Sequence, residues 1–123
     1  MNGFTRKMIG LSSTTAVLAG HLLISPLAFA ADASIVEQGK ALSFDRKKGN
    51  CLACHMIQGG ASPGNIAPPL IAMKGRYPNK EDLRKQIYDA TVANPESSMP
   101  PFGKHDALTK SELDKVVEFI WTL

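Results

Sequence analysis

The feature that most constrains this 123-residue chain is a pair of cysteines two residues apart, followed directly by a histidine. Cys51 and Cys54 are its only cysteines. A disulfide between residues this close in sequence closes almost no loop and would add little stability. Small domains bury a limited core and usually need a further stabilising element. The chain therefore needs a core that a disulfide cannot supply.

The segment Cys51-Leu52-Ala53-Cys54-His55 is the attachment pattern of haem c. Each cysteine sulfur bonds one vinyl group, and the histidine becomes the proximal axial ligand of the iron. A zinc site would need two further Cys or His ligands, and a thioredoxin-like redox pair would need a strand–helix context. The motif therefore predicts one covalently attached haem c with its iron.

The sixth iron ligand must come from the other face of the haem, and we favour Met99. Thioether sulfur is a common ligand of haem c, and the two prolines after Met99 stiffen its loop. Met73 is the alternative, although methionine often only fills a core. Met56 is too close to His55 to reach across, and His105 lies between two charged residues and is expected to be exposed. On the proximal side, we expect a backbone carbonyl within residues 65–70 to accept a hydrogen bond from His55 Nδ1.

Three helices and no competing strand pattern predict an all-α domain. The first is expected to begin at Ser34, with Glu37 completing a capping box, and to end or loosen at Gly49-Asn50. The second is expected to begin at Asn79 and to stop at Asn94-Pro95. The third is expected to begin at Thr109, with Glu112 three residues later. Each helix has an apolar stripe. It consists of Ile35, Gly39 and Leu42 in the first helix, of Leu83, Ile87 and Ala90 in the second, and of Leu113, Val116, Val117, Ile120 and Trp121 in the third.

Two irregular segments, residues 57–78 and 97–107, separate these helices. Irregular segments this long are unusual in a small domain unless they have a function. We expect them to wrap the haem, and we expect Gly39 and Phe44 to meet Phe119 or Ile120 where the first and last helices cross. The expected fold is a small all-α domain of three main helices with loops wrapped around one covalently attached haem.

Residues 1–30 have the three parts of a secretory signal peptide. Arg6 and Lys7 are followed by a stretch without charge, and Ala28-Phe29-Ala30 has the small-x-small pattern of a cleavage site. An uncleaved membrane anchor is the alternative, because the uncharged stretch is about long enough to cross a bilayer. We expect cleavage after residue 30, a monohaem domain over residues 31–123, a periplasmic location and no stable membrane insertion of the processed chain.

Composition excludes other classes of protein. Hydrophobic residues make up 44% and charged residues 20%, which is typical of a folded domain. The net charge of +3 without any block of Lys and Arg gives no reason to expect a nucleic-acid partner.

Four stretches of the chain, residues 48–55, 64–70, 83–91 and 98–105, resemble the SoxX subunit of the SoxAX sulfur-oxidation cytochromes. The order of helices and loops over residues 34–123 also resembles class I cytochrome c. The resemblance implies that Cys51 and Cys54 attach the haem and that His55 and Met99 are the axial ligands of its iron.

The resemblance also implies an electron-accepting subunit of an L-cysteine S-thiosulfotransferase complex, which couples thiosulfate oxidatively to a cysteine of the carrier protein SoxYZ. Its partners would be a larger SoxA-like c-type cytochrome and a downstream electron acceptor. No catalytic residue is expected in this chain, because the reacting haem of that complex belongs to the partner.

Two other functions are compatible with the motif. One is a free-standing periplasmic class I cytochrome c, and the other is a haem-binding sensor or structural module. An obligate subunit should expose an apolar patch beside the haem edge. Phe102, Tyr77 and Tyr88 are candidates for this patch, and packing against the haem is an equal alternative for each of them. Lys47, Lys48, Lys74 and Lys104 are either a docking surface or an ordinary solvated one.

Overall fold

The computed structural model describes residues 27–123, with side-chain surroundings from residue 34 onward. Most of the predicted signal peptide lies outside the described residues. Within them the chain is helical and contains no strand. The α-helices are α1 (Leu27–Phe44), α2 (Met73–Arg76), α3 (Lys80–Tyr88) and α4 (Lys110–Trp121), and two single 3₁₀ turns cover Cys51–Ala53 and Ala90–Val92. This architecture confirms the predicted all-α fold.

The amino end of α1 differs from the prediction. The helix begins at Leu27, so Ser34 lies inside it and does not cap it. Residues 28–33 are rich in alanine, the strongest helix former, and contain no helix breaker that would delay the start. The helix ends at Phe44, and the turn that follows is closed by a hydrogen bond from the Gly49 amide to the Leu42 carbonyl at 3.1 Å.

Helix α4 matches its prediction. The Thr109 side chain accepts a hydrogen bond from the Glu112 amide, while the Glu112 carboxylate accepts one from the Thr109 amide. Leu108 and Leu113, on either side of this cap, are almost fully buried. Four of the five residues of the apolar stripe of α4 are buried in the core, where Phe119 joins them, and Trp121 packs against it half-buried.

Helix α3 begins as predicted, because the Asn79 side chain accepts a hydrogen bond from the Glu81 amide. It ends six residues before Asn94-Pro95, at Tyr88. Asp89 adopts an extended backbone there, and its side chain caps the next 3₁₀ turn by accepting from the Thr91 amide. Local side-chain capping by Asp therefore ends the helix before the proline does.

The crossing of α1 and α4 organises the domain. A side chain at Gly39 would collide with the Lys115 carbonyl of α4, so only glycine permits this close approach of the two backbones. Beside it, the rings of Phe44 and Phe119 meet edge to face with their centroids 5.9 Å apart. The predicted contact between the first and last helices is confirmed. Within residues 27–123, no helix has the length and apolar character needed to cross a membrane.

Candidate haem site

The two cysteines of the motif lie on one tight turn. Asn50 begins it in the left-handed conformation, with φ at 47°. The amides of Cys54 and His55 both donate to the Cys51 carbonyl, at 3.3 and 2.9 Å. These hydrogen bonds place the two cysteines at the ends of a single 3₁₀ turn and fix His55 directly after it. Both thiols are free and half-buried.

Two glycines allow other parts of the backbone to approach this turn closely. A Cβ at Gly49 would lie 2.9 Å from the Leu42 carbonyl oxygen and 3.3 Å from Cys51 Sγ. A Cβ at Gly64 would overlap the Ala53 carbonyl, and the Gly64 amide donates to the Leu52 carbonyl at 2.7 Å. The turn that carries the cysteines is therefore packed between the end of α1 and the loop that contains Gly64.

The surroundings of Cys51 keep its thiol protonated. Burial raises the pKa of Cys51 to about 11, and a hydrogen bond with Ser43 acts in the opposite direction. A thiolate is the form that ligates metals, so this environment does not favour a zinc site. Among residues 27–123, no three His, Cys, Asp or Glu side chains are grouped closely enough to hold a metal ion.

His55 is oriented by the proline-rich loop, as the sequence predicted. Its Nδ1 lies 2.7 Å from the Pro68 carbonyl oxygen. Because a carbonyl can only accept, Nδ1 carries the proton and Nε2 keeps its lone pair for a metal. The ring is half-buried, so it stays partly accessible.

The loop that supplies this carbonyl is itself held by hydrogen bonds. The Ala67 amide donates to the Cys54 carbonyl at 3.0 Å, and the Leu70 amide donates to the Met56 carbonyl at 2.9 Å. The Arg76 guanidinium donates to the Pro69 carbonyl at 2.9 Å. We call residues 51–72 the His55 segment, and its order comes mainly from main-chain hydrogen bonds.

Met99 and Met73 have different surroundings. Met73 is 2% exposed, and its sulfur accepts a hydrogen bond from Arg76 at 3.6 Å. Met99 is half-buried against the core, with its amide donating to Ser97 Oγ at 3.3 Å. Met73 is therefore already used in packing, whereas Met99 keeps part of its side chain accessible. Met56 and His105 are both exposed.

The loop that carries Met99 is closed by an ion pair that the sequence analysis did not find. Lys104 Nζ lies 2.7 Å from Asp89 Oδ2, and the Asp89 side chain is 5% exposed. The Lys104 ammonium, assisted by Thr91, holds the pKa of Asp89 below its usual value. We call residues 89–104 the Met99 loop. The Asp-Ala-Thr sequence at its start is a capping pattern that could have indicated the role of Asp89.

The three aromatic candidates for a partner patch differ in exposure. Phe102 is 8% exposed and belongs to the core, Tyr77 is half-buried, and Tyr88 is 43% exposed. The most exposed large apolar side chains of the His55 segment are Ile66 at 81% and Ile71 at 57%. The sequence does not indicate this surface, because its residues stand among glycines and prolines and follow neither a helical nor a strand periodicity.

Two of the four candidate docking lysines are already paired within the chain. Lys48 Nζ lies 2.7 Å from Glu112 Oε1, and Lys104 binds Asp89. Their charges are therefore partly neutralised by neighbouring carboxylates, so a docking surface made of all four lysines is not supported.

The side chains present fit a covalently attached haem. Two free thiols lie at the ends of one turn, and the adjacent imidazole has its Nδ1 proton engaged and its Nε2 available. Both thiols, the imidazole and the Met99 thioether are all half-buried, as expected for groups that contact a large apolar ligand as well as the protein. The arrangement can bind a macrocycle through the two thiols and orient its proximal ligand.

The helical fold and the Cys-x-x-Cys-His turn define the class of a small c-type cytochrome, an electron-transfer protein. The family model described as cytochrome c matches residues 36–123, more than half of the chain. The chain therefore belongs to the cytochrome c family, which implies a covalently attached haem c with its iron. No curated protein matches the chain in a sequence comparison.

Proposed function

We propose that this chain is the electron-accepting subunit of a SoxAX-like complex, which couples thiosulfate oxidatively to a carrier-protein cysteine in sulfur oxidation. Support comes from the four SoxX-like stretches of sequence, two of which form the attachment turn and the proline-rich loop. In this proposal a larger SoxA-like cytochrome carries the reacting haem, SoxYZ is reached through the complex, and a further protein accepts the electrons. The complex lies in the periplasm, with residues 1–30 removed.

The residues of the haem site have separate roles in this proposal. Cys51 and Cys54 form the two thioether bonds, His55 is the proximal ligand and Met99 is the distal one. When bound, the haem supplies a one-electron couple at its iron. The chain supports that couple by holding His55 in one tautomer through Pro68 and by offering a thioether, which raises the reduction potential relative to a second histidine.

The observation that carries the subunit assignment is the apolar surface beside the attachment turn. Met56, Ile66 and Ile71 are 53, 81 and 57% exposed, and backbone hydrogen bonds hold their loop against the turn. Large apolar side chains exposed along one ordered loop favour an interaction site. A carrier that diffuses freely between partners has less need of such a surface, because transient interfaces are smaller and less hydrophobic than permanent ones.

The proposal is tested by recovering the tagged chain from the periplasm of cells grown on thiosulfate, with intact masses and haem counts for everything recovered. A larger c-type cytochrome in equal amount supports the subunit assignment. Recovery of this chain alone, with one haem, supports the free-standing carrier instead.

A pair of variants locates the interface. Ile66→Asp places a charge on the apolar surface, whereas Val92→Asp changes an equally exposed residue, 82% accessible, in the second 3₁₀ turn. Neither change should disturb folding, because both positions are at the surface. We expect Ile66→Asp to reduce recovery of the partner at least about tenfold, since burying an unpaired charge in an interface is costly. Val92→Asp should leave recovery unchanged; equal recovery with both variants would contradict this interface.

A further inference from the structure

The Asp89 carboxylate is the most deeply buried charged group among the described residues that form ion pairs. Its side chain is 5% exposed, and it accepts hydrogen bonds from the Thr91 amide, the Thr91 hydroxyl and Lys104 Nζ. A carboxylate is removed from water only at a large cost unless charged and polar partners replace the water. Lys104, whose side chain is 54% exposed, supplies the compensating charge.

The two partners stand at opposite ends of the Met99 loop. Asp89 caps the turn that leads toward Met99, and Lys104 follows Met99 by five positions. The main chain is fastened at the same place, because the amides of Gly103 and Lys104 both donate to the Tyr88 carbonyl, at 3.1 and 3.2 Å. Gly103 also packs against the Tyr88 ring so closely that a side chain there would overlap it.

Between these ends, Met99 has few constraints of its own. Its amide donates to Ser97 Oγ, and its side chain packs on the edge of the core without being buried. The position of its sulfur therefore depends on the closure of the loop. Every other ion pair in the described residues either lies within α3 or joins α4 to another segment, so none spans this loop.

We infer that Asp89 and Lys104 are positioning residues that keep the Met99 loop closed and thereby slow the departure of the Met99 sulfur from the iron. This inference rests on the proposed role of Met99 as distal ligand. A loop closed by a side-chain ion pair opens more readily when the pair is removed, and ligand exchange then becomes faster even where the overall fold persists.

The test measures how fast imidazole replaces the distal ligand in the oxidised holoprotein. The replacement is monitored by the loss of the weak far-red sulfur-to-iron band. Lys104→Met keeps the aliphatic stem and removes the charge. We expect Lys104→Met to accelerate replacement of the distal ligand by about tenfold. This effect is larger than that of losing an exposed ion pair and smaller than that of breaking a buried one. Lys104→Arg restores the charge and should remain within about threefold of the original rate.

Lys80→Met is the matched control. Lys80 forms an ion pair of similar length with Glu118, 2.8 Å apart and with both side chains 41% exposed, but that pair joins α3 to α4 and does not touch the Met99 loop. Lys80→Met should leave the rate of imidazole binding unchanged. An equal acceleration in Lys80→Met and Lys104→Met would show a general loss of stability and overturn the inference.

Asp89→Asn provides a second approach to the same pair, because asparagine can still accept from Thr91 but carries no charge. Its effect should match that of Lys104→Met, and the double variant should be no faster than either alone, as expected for residues that act as a unit. Independent, multiplying effects would overturn the inference. If Asp89→Asn yields no holoprotein, the Lys104 variants alone decide.

The Met99→Ala variant separates this inference from the ligand proposal beneath it. If the far-red band persists in Met99→Ala, the ligand assignment is wrong. If the band is lost in Met99→Ala while Lys104→Met binds imidazole at the original rate, the ligand assignment stands and the positioning role of the pair is refuted.

Discussion

The His55 segment and the Met99 loop, which carry the two proposed axial ligands, are held in place by different kinds of interaction. Within the His55 segment, main-chain hydrogen bonds from Gly64, Ala67 and Leu70 fasten the proline-rich loop to residues 52–56, and the Pro68 carbonyl orients the imidazole. The Met99 loop is closed at one point, by the Asp89–Lys104 pair and the adjacent amides. The first segment should therefore tolerate changes of side chain but not of backbone shape, and the second should respond to changes of charge.

The largest effect is expected at the attachment turn. Cys51→Ser removes one of the two sulfurs proposed to bond the haem, so covalent attachment should be weakened or lost. Intact mass and the haem spectrum under denaturing conditions measure this. A holoprotein with an unchanged spectrum would contradict the attachment role of Cys51.

Met99→Ala should affect only the other face of the haem. We expect the far-red band of the oxidised protein to disappear while the haem mass is retained, because both thioether bonds lie on the His55 segment. The reduction potential should fall with loss of the thioether. Loss of the haem itself would contradict the separation between the two regions.

Backbone shape in the His55 segment is tested by Gly64→Ala. The added methyl group would overlap the Ala53 carbonyl and lie 3.0 Å from Cys54 Cα, so the turn must shift. We expect the free energy of unfolding to fall by about 1–3 kcal/mol, measured by urea denaturation of the holoprotein.

Gly75→Ala is the matched control for that change, because a Cβ at Gly75 in α2 would meet nothing within 4 Å. It should alter the free energy of unfolding by less than about 1 kcal/mol, in the stabilising direction expected for alanine in a helix. Equal losses in both variants would show that the close contact at Gly64 is unimportant.

The smallest effect concerns Glu112, where a side-chain ion pair ties the residues just before the attachment turn to α4. Hydrogen bonds from Lys48 and from the Thr109 amide lower the pKa of Glu112 from 4.5 to about 2. Because the pKa is lower in the folded state, the contribution of the carboxylate to stability is complete above about pH 4.5 and is lost as the pH falls toward 2.

Glu112→Gln should therefore flatten the decrease in melting temperature between neutral pH and about pH 2. The glutamine oxygen can still accept from the Thr109 amide, so the helix cap is largely preserved. Parallel pH profiles for the two proteins would mean that Glu112 does not contribute to acid sensitivity.

The parts of the molecule that could be predicted are those governed by local sequence. The caps at Asn79 and Thr109 follow from residues three or fewer positions away, and the acceptor for His55 was expected within residues 65–70 and is Pro68. The start of α1 differs from the prediction, because a favourable capping pattern at Ser34 competes with an alanine-rich stretch that continues the helix.

The remaining features depend on distance in space. The Asp89–Lys104 pair joins residues 15 positions apart across an irregular loop, and no periodic pattern brings such residues together. The same holds for Phe102, an aromatic residue in a loop that could face either a partner or the core and is buried. Which ends of a loop meet is decided by packing of the whole domain.

The crossing of α1 and α4 at Gly39 also has a kinetic consequence. The two helices lie on either side of the haem site in sequence, so their contact can form only after the intervening chain has been brought together, at an entropic cost that grows with its length. Contacts of this kind slow folding relative to local helix formation. The attachment turn follows α1 closely and lies far from α4 in sequence, so the slow part of this search belongs to the segment between the turn and α4.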